Sequence, residues 1–440
     1  MIVDSIEDLD ALFGYMQDRT CLVVPVLTDH QSHVSQNKIS CIYIYTEDDV
    51  ERLVPINHTE QLQGFSEHVH RFLELESVFV HDKKAWLQLG GNDSVYDLKT
   101  LWWCTYGETY DDSLYLQPAH HFYQRRHHQL AHVNAIIPIM QHAAMCQKIR
   151  KYAWPMIRNV KLTESYKTFN SLYPKVFAAI ESAGLQVNER FPQPVAVHNN
   201  QVYTNYNYHT STGRPSNAYR GFNFAAMNKE DGTRSAFCSR FEQGALVEMD
   251  FDAYHVRLIA KLIGYKLPEG SVHEYFGRFY FSTDTLTTEQ YEQSKQITFR
   301  LLYGGIDREF LAIPFFKQVN DFIWNLWNQW KKQGYIRTAI DRRTMTREQF
   351  PDMTANKLFN YYLQSLETEF SVRKLDQVLN LLSSSETCMI LYTYDSVLFD
   401  VPLSEAKHIL PQIQDIMQSG NFPVKCKVGD IYSKMRDITL

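Results

Sequence analysis

The chain has 440 residues, 44% of them hydrophobic and 21% charged, with a formal net charge of −6. That length exceeds one compact core and predicts two or three domains of ordinary globular composition. The acidic balance excludes a globally basic nucleic-acid binder, so any such binding falls to local patches.

Seven cysteines are scattered without a CxxC, which argues against a zinc ribbon and fits a reducing cytosol. The N-terminus lacks the basic and apolar regions of a signal peptide, and no apolar run reaches membrane-spanning length. A cytoplasmic protein without a membrane partner is expected. Aromatics reach 14%, available for core filling or for stacking on bases.

Residues 1–150 read as an α/β region. Runs 21–27 and 39–45 predict neighbouring strands, the first apolar throughout and the second roughly alternating. Residues 60–75 predict a helix, 77–80 a short strand, and 120–152 a long helix. His120, His121, His127, His128 and His132 fall on that helix. With no Cys or acidic ligand nearby, and with Arg125 and Arg126 among them, they read as a solvated face rather than a metal site. Residues 151–200 form a connector with one good helix, 165–184, closed by Gly184.

Residues 202–217 begin as a strand and end as a polar turn carrying Arg214. In 246–260 an apolar run breaks at Asp250 and resumes as an amphipathic helix, so Asp250 sits where a buried strand meets a helix. Helices follow at 287–302 and 316–334. The second carries Trp324, Trp327 and Trp330 at three-residue spacing, expected to share a packing face. Residues 355–382 are helical and polar on one side, at Asn356, Asn360 and Gln364. Residues 389–401 predict a hairpin centred on Asp395, 412–418 a helix and 423–428 a closing strand.

Asp250 and Asp395 each interrupt an apolar strand environment. Singly, either reads as a cap or turn acid. Brought together, they need a cation or a proton to offset their repulsion. A divalent pair such as Mg²⁺, which takes carboxylate, phosphate and water oxygens, would do so and could serve phosphoryl transfer. Lys295, Phe299 and Tyr303 are four apart and share a helix face. That places a point charge suited to a triphosphate above aromatics suited to a base or sugar. Gly304 and Gly305 end the helix and allow close backbone approach.

Over residues 200–435 these pieces resemble, in order, the motifs of the family A DNA polymerases, the bacterial DNA polymerase I type. Motif A resembles Val247-Glu-Met-Asp-Phe-Asp-Ala-Tyr-His-Val-Arg257, motif B Lys295-Gln-Ile-Thr-Phe-Arg-Leu-Leu-Tyr-Gly304, and motif C Tyr394-Asp-Ser396. Thr212-Gly-Arg214 and Gly334-Tyr-Ile-Arg-Thr-Ala-Ile-Asp-Arg-Arg343 resemble two further elements, and Asn360 and Gln364 fall on the family's primer–template helix.

The resemblance implies an α+β right hand. Palm would span 201–270 and 351–440 around an antiparallel sheet, helical fingers 271–350, and a reduced thumb 151–200. An α/β RNase H-like, exonuclease-type domain would occupy 1–150. It implies extension of a primer 3′-OH with dNTPs on primer–template DNA. Asp250 and Asp395 would hold two Mg²⁺ with the backbone carbonyl of Phe251. Lys295 would face the triphosphate, and Phe299, Tyr303 and His255 would line the nucleotide pocket. Arg214 and Gln364 would meet the minor groove, whose acceptors are similar for all base pairs, and Asn360 and Tyr394 would add DNA contacts.

The departures carry their own expectations. His255 stands where the family has a glutamate that gates ribose, Tyr291 replaces an arginine, and motif C reads Tyr-Asp-Ser instead of His-Asp-Glu. They keep two alternatives in play: a polymerase making RNA or primers, and a polymerase-derived nucleic-acid-binding protein. The exonuclease carboxylates fall on Pro25, Leu27 and Ala85, and the last motif appears as Tyr123-Gln-Arg-Arg-His127. An exonuclease-like domain without hydrolysis is therefore expected, with Asp29, Asp82 and Asp97 as out-of-register substitutes. The short connector resembles a compact, phage-type member and implies a partner that clamps the DNA.

Overall fold

The computed structural model describes residues 2–28, 32–58, 64–110, 139–159, 162–188, 191–193, 195, 197–228 and 230–440. The chain parts into two compact units, Met1–Ser182 and Ala183–Leu440.

In the first unit the strand Cys21–Leu27 is apolar throughout because both of its faces are covered. Leu22, Val24 and Val26 join a cluster with Leu98, Leu101 and Trp154, while Cys21 and Val23 join another with Leu9, Leu12 and Phe72. Helices Leu98–Tyr106 and Ile139–Asn159 feed the first cluster, and Ile6–Met16 the second. The sheet runs Glu51–Pro55, Ile39–Thr46, Cys21–Leu27, Phe79–Val80, Tyr96–Asp97; the first three are antiparallel and the last two join in parallel. The helix expected at 60–75 is, in its described part, a 3-10 turn Ser66–His68 and one short helix, Val69–Leu73. The five histidines of 120–132, together with Tyr123, Asp29 and Arg125–Arg126, lie outside the described residues.

The second unit is built on an antiparallel sheet in the order Cys388–Tyr392, Ser396–Pro402, Gly244–Phe251, Val424–Gly429, Arg436–Ile438. Helices Tyr254–Ile263, Val272–Phe281, Thr288–Gly304 and Pro314–Gln333 follow the central strand in sequence. Trp324, Trp327 and Trp330 do not share one buried face. Each three-residue step falls about 60° short of a full turn. Trp330 is buried, Trp327 is half-buried and Trp324 is 51% exposed.

Helix Ala355–Leu381 is buried on several sides and carries Ser365, Glu367, Glu369, Ser371 and Lys374 inside the fold. Buried polar groups need partners, and each finds one. Ser365 Oγ donates to the Thr212 carbonyl at 2.7 Å, Ser371 Oγ meets the Tyr254 hydroxyl at 3.1 Å, and Lys374 Nζ donates to the Ser419 carbonyl at 2.7 Å. The helix thus ties the Arg214 turn, the helix after Asp250 and the end of helix Leu403–Gln418 to one rod.

Candidate active site

Strand pairing brings the two aspartates together. Asp250 lies opposite Ser396, and the Phe251 N–H donates to the Asp395 carbonyl at 2.9 Å. Asp395 sits at a tight hairpin tip, where Thr393 N–H donates to the Ser396 carbonyl at 2.9 Å. The tip holds Tyr394 at φ 71°, and the strand-to-helix joint after Asp250 holds Ala253 at φ 49°. A residue with a β-carbon in this left-handed region carries strain of order 1–3 kcal/mol. The Arg214 guanidinium lies 3.8 Å from the Tyr394 ring centroid and packs the tip in place.

Asp250, Phe251, Asp252 and Asp395 line a cavity of about 280 Å³ together with Lys295, Phe299, Tyr303, His255 and Arg214. Burial, then Asp395 and Glu248, push Asp250 up to about 7. Burial and Glu367 also push Asp395 above the usual carboxylate range, against the pull of His255 and Arg214. Among the described residues, no side chain hydrogen-bonds or pairs with either carboxylate. Asp252 differs: Lys425 lies at 2.6 Å and Arg257 at 2.9 Å. Burial opposes its ionisation, yet those two cations hold it below the usual range.

Two one-sided carboxylates that no described side chain bonds fit a hard divalent cation that completes its shell from phosphate and water. Among the described residues, no cluster of three or more His, Cys, Asp or Glu forms a closed metal cage.

Helix Thr288–Gly304 supplies the opposite wall. Thr287 and Gln290 close a capping box at its start. Lys295 Nζ rests 2.8 Å from Glu292 Oε1 and 4.6 Å from the Tyr291 ring, so the position expected to carry arginine instead braces the lysine. Phe299 and Tyr303 stack with centroids 6.1 Å apart and planes 8° off parallel. At the helix end, Asn356 Nδ2 donates to the Gly304 carbonyl at 3.2 Å and Asn360 Nδ2 to the Tyr303 carbonyl at 3.0 Å. These satisfy carbonyls that a helix terminus leaves open. Gly305 holds φ 107°, a backbone conformation that residues with a β-carbon rarely adopt, and an added β-carbon would also come within 2.8 Å of Asn356 Nδ2.

His255 is tied on both sides. Its Nδ1 hydrogen-bonds the Tyr303 hydroxyl, and its Nε2 lies 3.0 Å from Glu367 Oε1. The other Glu367 oxygen lies 2.9 Å from Arg214 Nε. Glu367 is 1% exposed, so one buried carboxylate from helix Ala355–Leu381 holds both residues. Where the resemblance expects an acid after Asp250, the acid arrives from another element.

Gln364 and Tyr394 lie apart from Asn360, in a groove with Thr210, Thr212 and Arg214. Arg214 lines both this groove and the cavity. Glu367, Asp252 and Lys425 were not anticipated from the sequence. The signal for Glu367 was present: the polar stripe Asn356, Asn360, Gln364 continues at the same three-to-four spacing through Glu367, Ser371 and Lys374.

In the first unit, Asp82 caps helix Lys83–Gln88 by accepting from Ala85 N–H at 2.9 Å, and Lys99 lies 2.7 Å away. Asp97 accepts from the N–H groups of Lys83, Lys99 and Thr100 and from the Thr100 hydroxyl. Pro25 and Leu27 lie on the Cys21–Leu27 strand and Ala85 on the short helix.

The second unit's sheet, hairpin and helices, with the first unit before them, have the fold of a DNA polymerase domain. In particular, the chain is similar to the POL domain of Pol1 from M. smegmatis, solved in complex with DNA primer-template and dNTP. The TM-score is 0.73 over 98% of this chain and 99% of that one, at 14% sequence identity. No family model matches the sequence.

Proposed function

We propose that the protein is a template-directed DNA polymerase that extends a primer 3′-OH with dNTPs. The observation that carries this reading is the uncompensated pair Asp250 and Asp395, facing Lys295, Phe299 and Tyr303 across one cavity of a polymerase-domain fold. The primer oxygen would bond to the α-phosphorus as the bond to the leaving pyrophosphate breaks. Two Mg²⁺, held by Asp250, Asp395 and the Phe251 carbonyl, would supply charge neutralisation for that exchange. Lys295 would exchange its pairing with Glu292 for a phosphate oxygen, and Phe299 with Tyr303 would offer a flat apolar wall to the nascent base pair. Gln364, Tyr394 and Arg214 would follow the primer–template, and Asn360 would act through the Tyr303 carbonyl it holds.

On this reading the finer division follows, with palm at 201–270 and 351–440, fingers at 271–350 and a reduced thumb at 151–200. Extension of a labelled primer with Mg²⁺ tests it, comparing wild type with Asp250→Asn and Asp395→Asn. If all three behave alike, the reading fails. The same assay under single-encounter conditions tests the need for a clamping partner, which long products from the purified protein alone would refute.

One observation favours a second reading. His255, held between Tyr303 and Glu367, stands where an acid gate is expected, and this replacement of the acid by an imidazole supports relaxed sugar selectivity and synthesis of RNA or primers. Extension with deoxy- against ribonucleotides separates the two. A protein that binds primer–template but never extends it would be the polymerase-derived binder.

The first unit is proposed to be an exonuclease-like domain that does not hydrolyse DNA, leaving the polymerase without proofreading. Its mixed sheet order, the apolar Pro25, Leu27 and Ala85, and the capping roles of Asp82 and Asp97 support this. Metal-dependent degradation of single-stranded DNA by the purified protein would refute it.

A further inference from the structure

Beside the candidate active site lies a second and larger cavity, of about 1000 Å³. Asp252, Tyr291 and Lys425 line both. The two cavities differ in charge. The first holds four carboxylates, Asp250, Asp252, Glu367 and Asp395, against Arg214, Lys295 and Lys425. The second holds four cations, Arg257, Lys261, Lys266 and Lys425, against Asp252 and Glu269.

Asp252 is already occupied, clamped between Arg257 and Lys425. Lys261 lies 5.2 Å from the rings of Phe370 and Phe422 and 3.4 Å from the Gly420 carbonyl. Among the described residues, neither Lys261 nor Lys266 has a carboxylate within ion-pair distance. The basic cavity is therefore left with unneutralised positive charge, directly adjoining an acidic one.

We propose that this second cavity binds inorganic pyrophosphate, receiving it as the leaving product from the first. The inference rests on the polymerase reading for the origin of the anion, but not for its binding. A multiply charged anion released beside four carboxylates is repelled by them once its metal charge is lost. The potential falls toward Lys425, which stands in both cavities, and then toward Lys261 and Lys266. Arg257 and Lys425 keep Asp252 from opposing that passage.

Calorimetric titration of the full chain with sodium pyrophosphate, in EDTA and without primer or nucleotide, tests the proposal. Wild type and Asp250→Asn/Asp395→Asn should each bind one pyrophosphate with similar affinity. Lys261→Glu/Lys266→Glu should weaken binding by about tenfold or more, the loss of charge-assisted contacts, and Lys266→Gln should weaken it less. Binding that survives Lys261→Glu/Lys266→Glu but disappears with Lys295→Ala would overturn the proposal, because the anion would then sit in the first cavity. Failure of primer extension with this pattern of binding intact would overturn the polymerase reading alone.

Discussion

Each unit contains a pair of neighbouring aspartates, and the two pairs are treated in opposite ways. Asp82 and Asp97 repel each other, and burial together with Asp82 pushes Asp97 above the usual range. Burial also works against Asp82, yet Lys99 and Lys84 hold it below that range, and both acids cap helices. Asp250 and Asp395 cap nothing and pair with nothing among the described residues. An acid that builds the fold has its oxygens filled from within. An acid with work to do on something outside is left with them open. A third pair lies between these extremes: Asp341 is paired with Arg373 at 2.7 Å, while burial and Asp341 push Glu369 up to about 8.

The sharpest test of this contrast is to neutralise the open pair. Asp250→Asn or Asp395→Asn should lower primer extension by roughly 10³-fold or more, with primer–template retention in a gel-shift assay little changed. The same substitutions should raise stability in EDTA at pH 8, read by denaturant unfolding, because ionised Asp250 is disfavoured in the folded state. That gain should shrink as pH falls through about 7, where wild-type Asp250 takes up its proton.

The filled pair should behave in reverse. Asp97→Ala orphans three N–H groups and a hydroxyl, and should cost about 3 kcal/mol of unfolding free energy while extension per folded molecule stays at the wild-type level. A comparable loss of extension with either pair would break the comparison.

The intermediate pair is read by pH. Glu369 stays protonated in the folded chain up to about 8 but ionises near its ordinary value when unfolded. Unfolding between those limits releases a proton, so stability must fall as pH rises across them. Glu369→Gln should flatten that fall, by roughly 3 kcal/mol between pH 5 and pH 8, in denaturant melts at several pH values. The smallest effect is expected at the borrowed acid. Glu367→Gln should raise the dNTP KM by roughly tenfold, and alter the ratio of deoxy- to ribonucleotide use, with DNA affinity less affected.

Much of the site was legible. Asp250 and Asp395 stood out because a carboxylate in an apolar run needs a reason, and the three side chains at four-residue spacing on helix Thr288–Gly304 do share a wall. What escaped was the third dimension of helix Ala355–Leu381. Its polar stripe suggests a wet face, yet Glu367, Glu369 and Ser371 are each 1% exposed, paired by tertiary partners that no local pattern names. Trp324 fails the other way, an aromatic at core-like spacing that rotation carries into solvent. Lys425 was within reach: Lys425 and Lys427 alternate with Val424, Cys426 and Val428, which puts the lysines on one side of an edge-proximal strand.

Glu367 has a mechanical consequence. It stands one turn along the same rod as Gln364, which lies in the groove with Tyr394. An α-helix advances 1.5 Å per residue, so sliding this rod by a single residue would open both the 2.9 Å pairing with Arg214 and the 3.0 Å pairing with His255. On the proposed reading, a misfit beneath Gln364 that shifted the rod would loosen His255 as well.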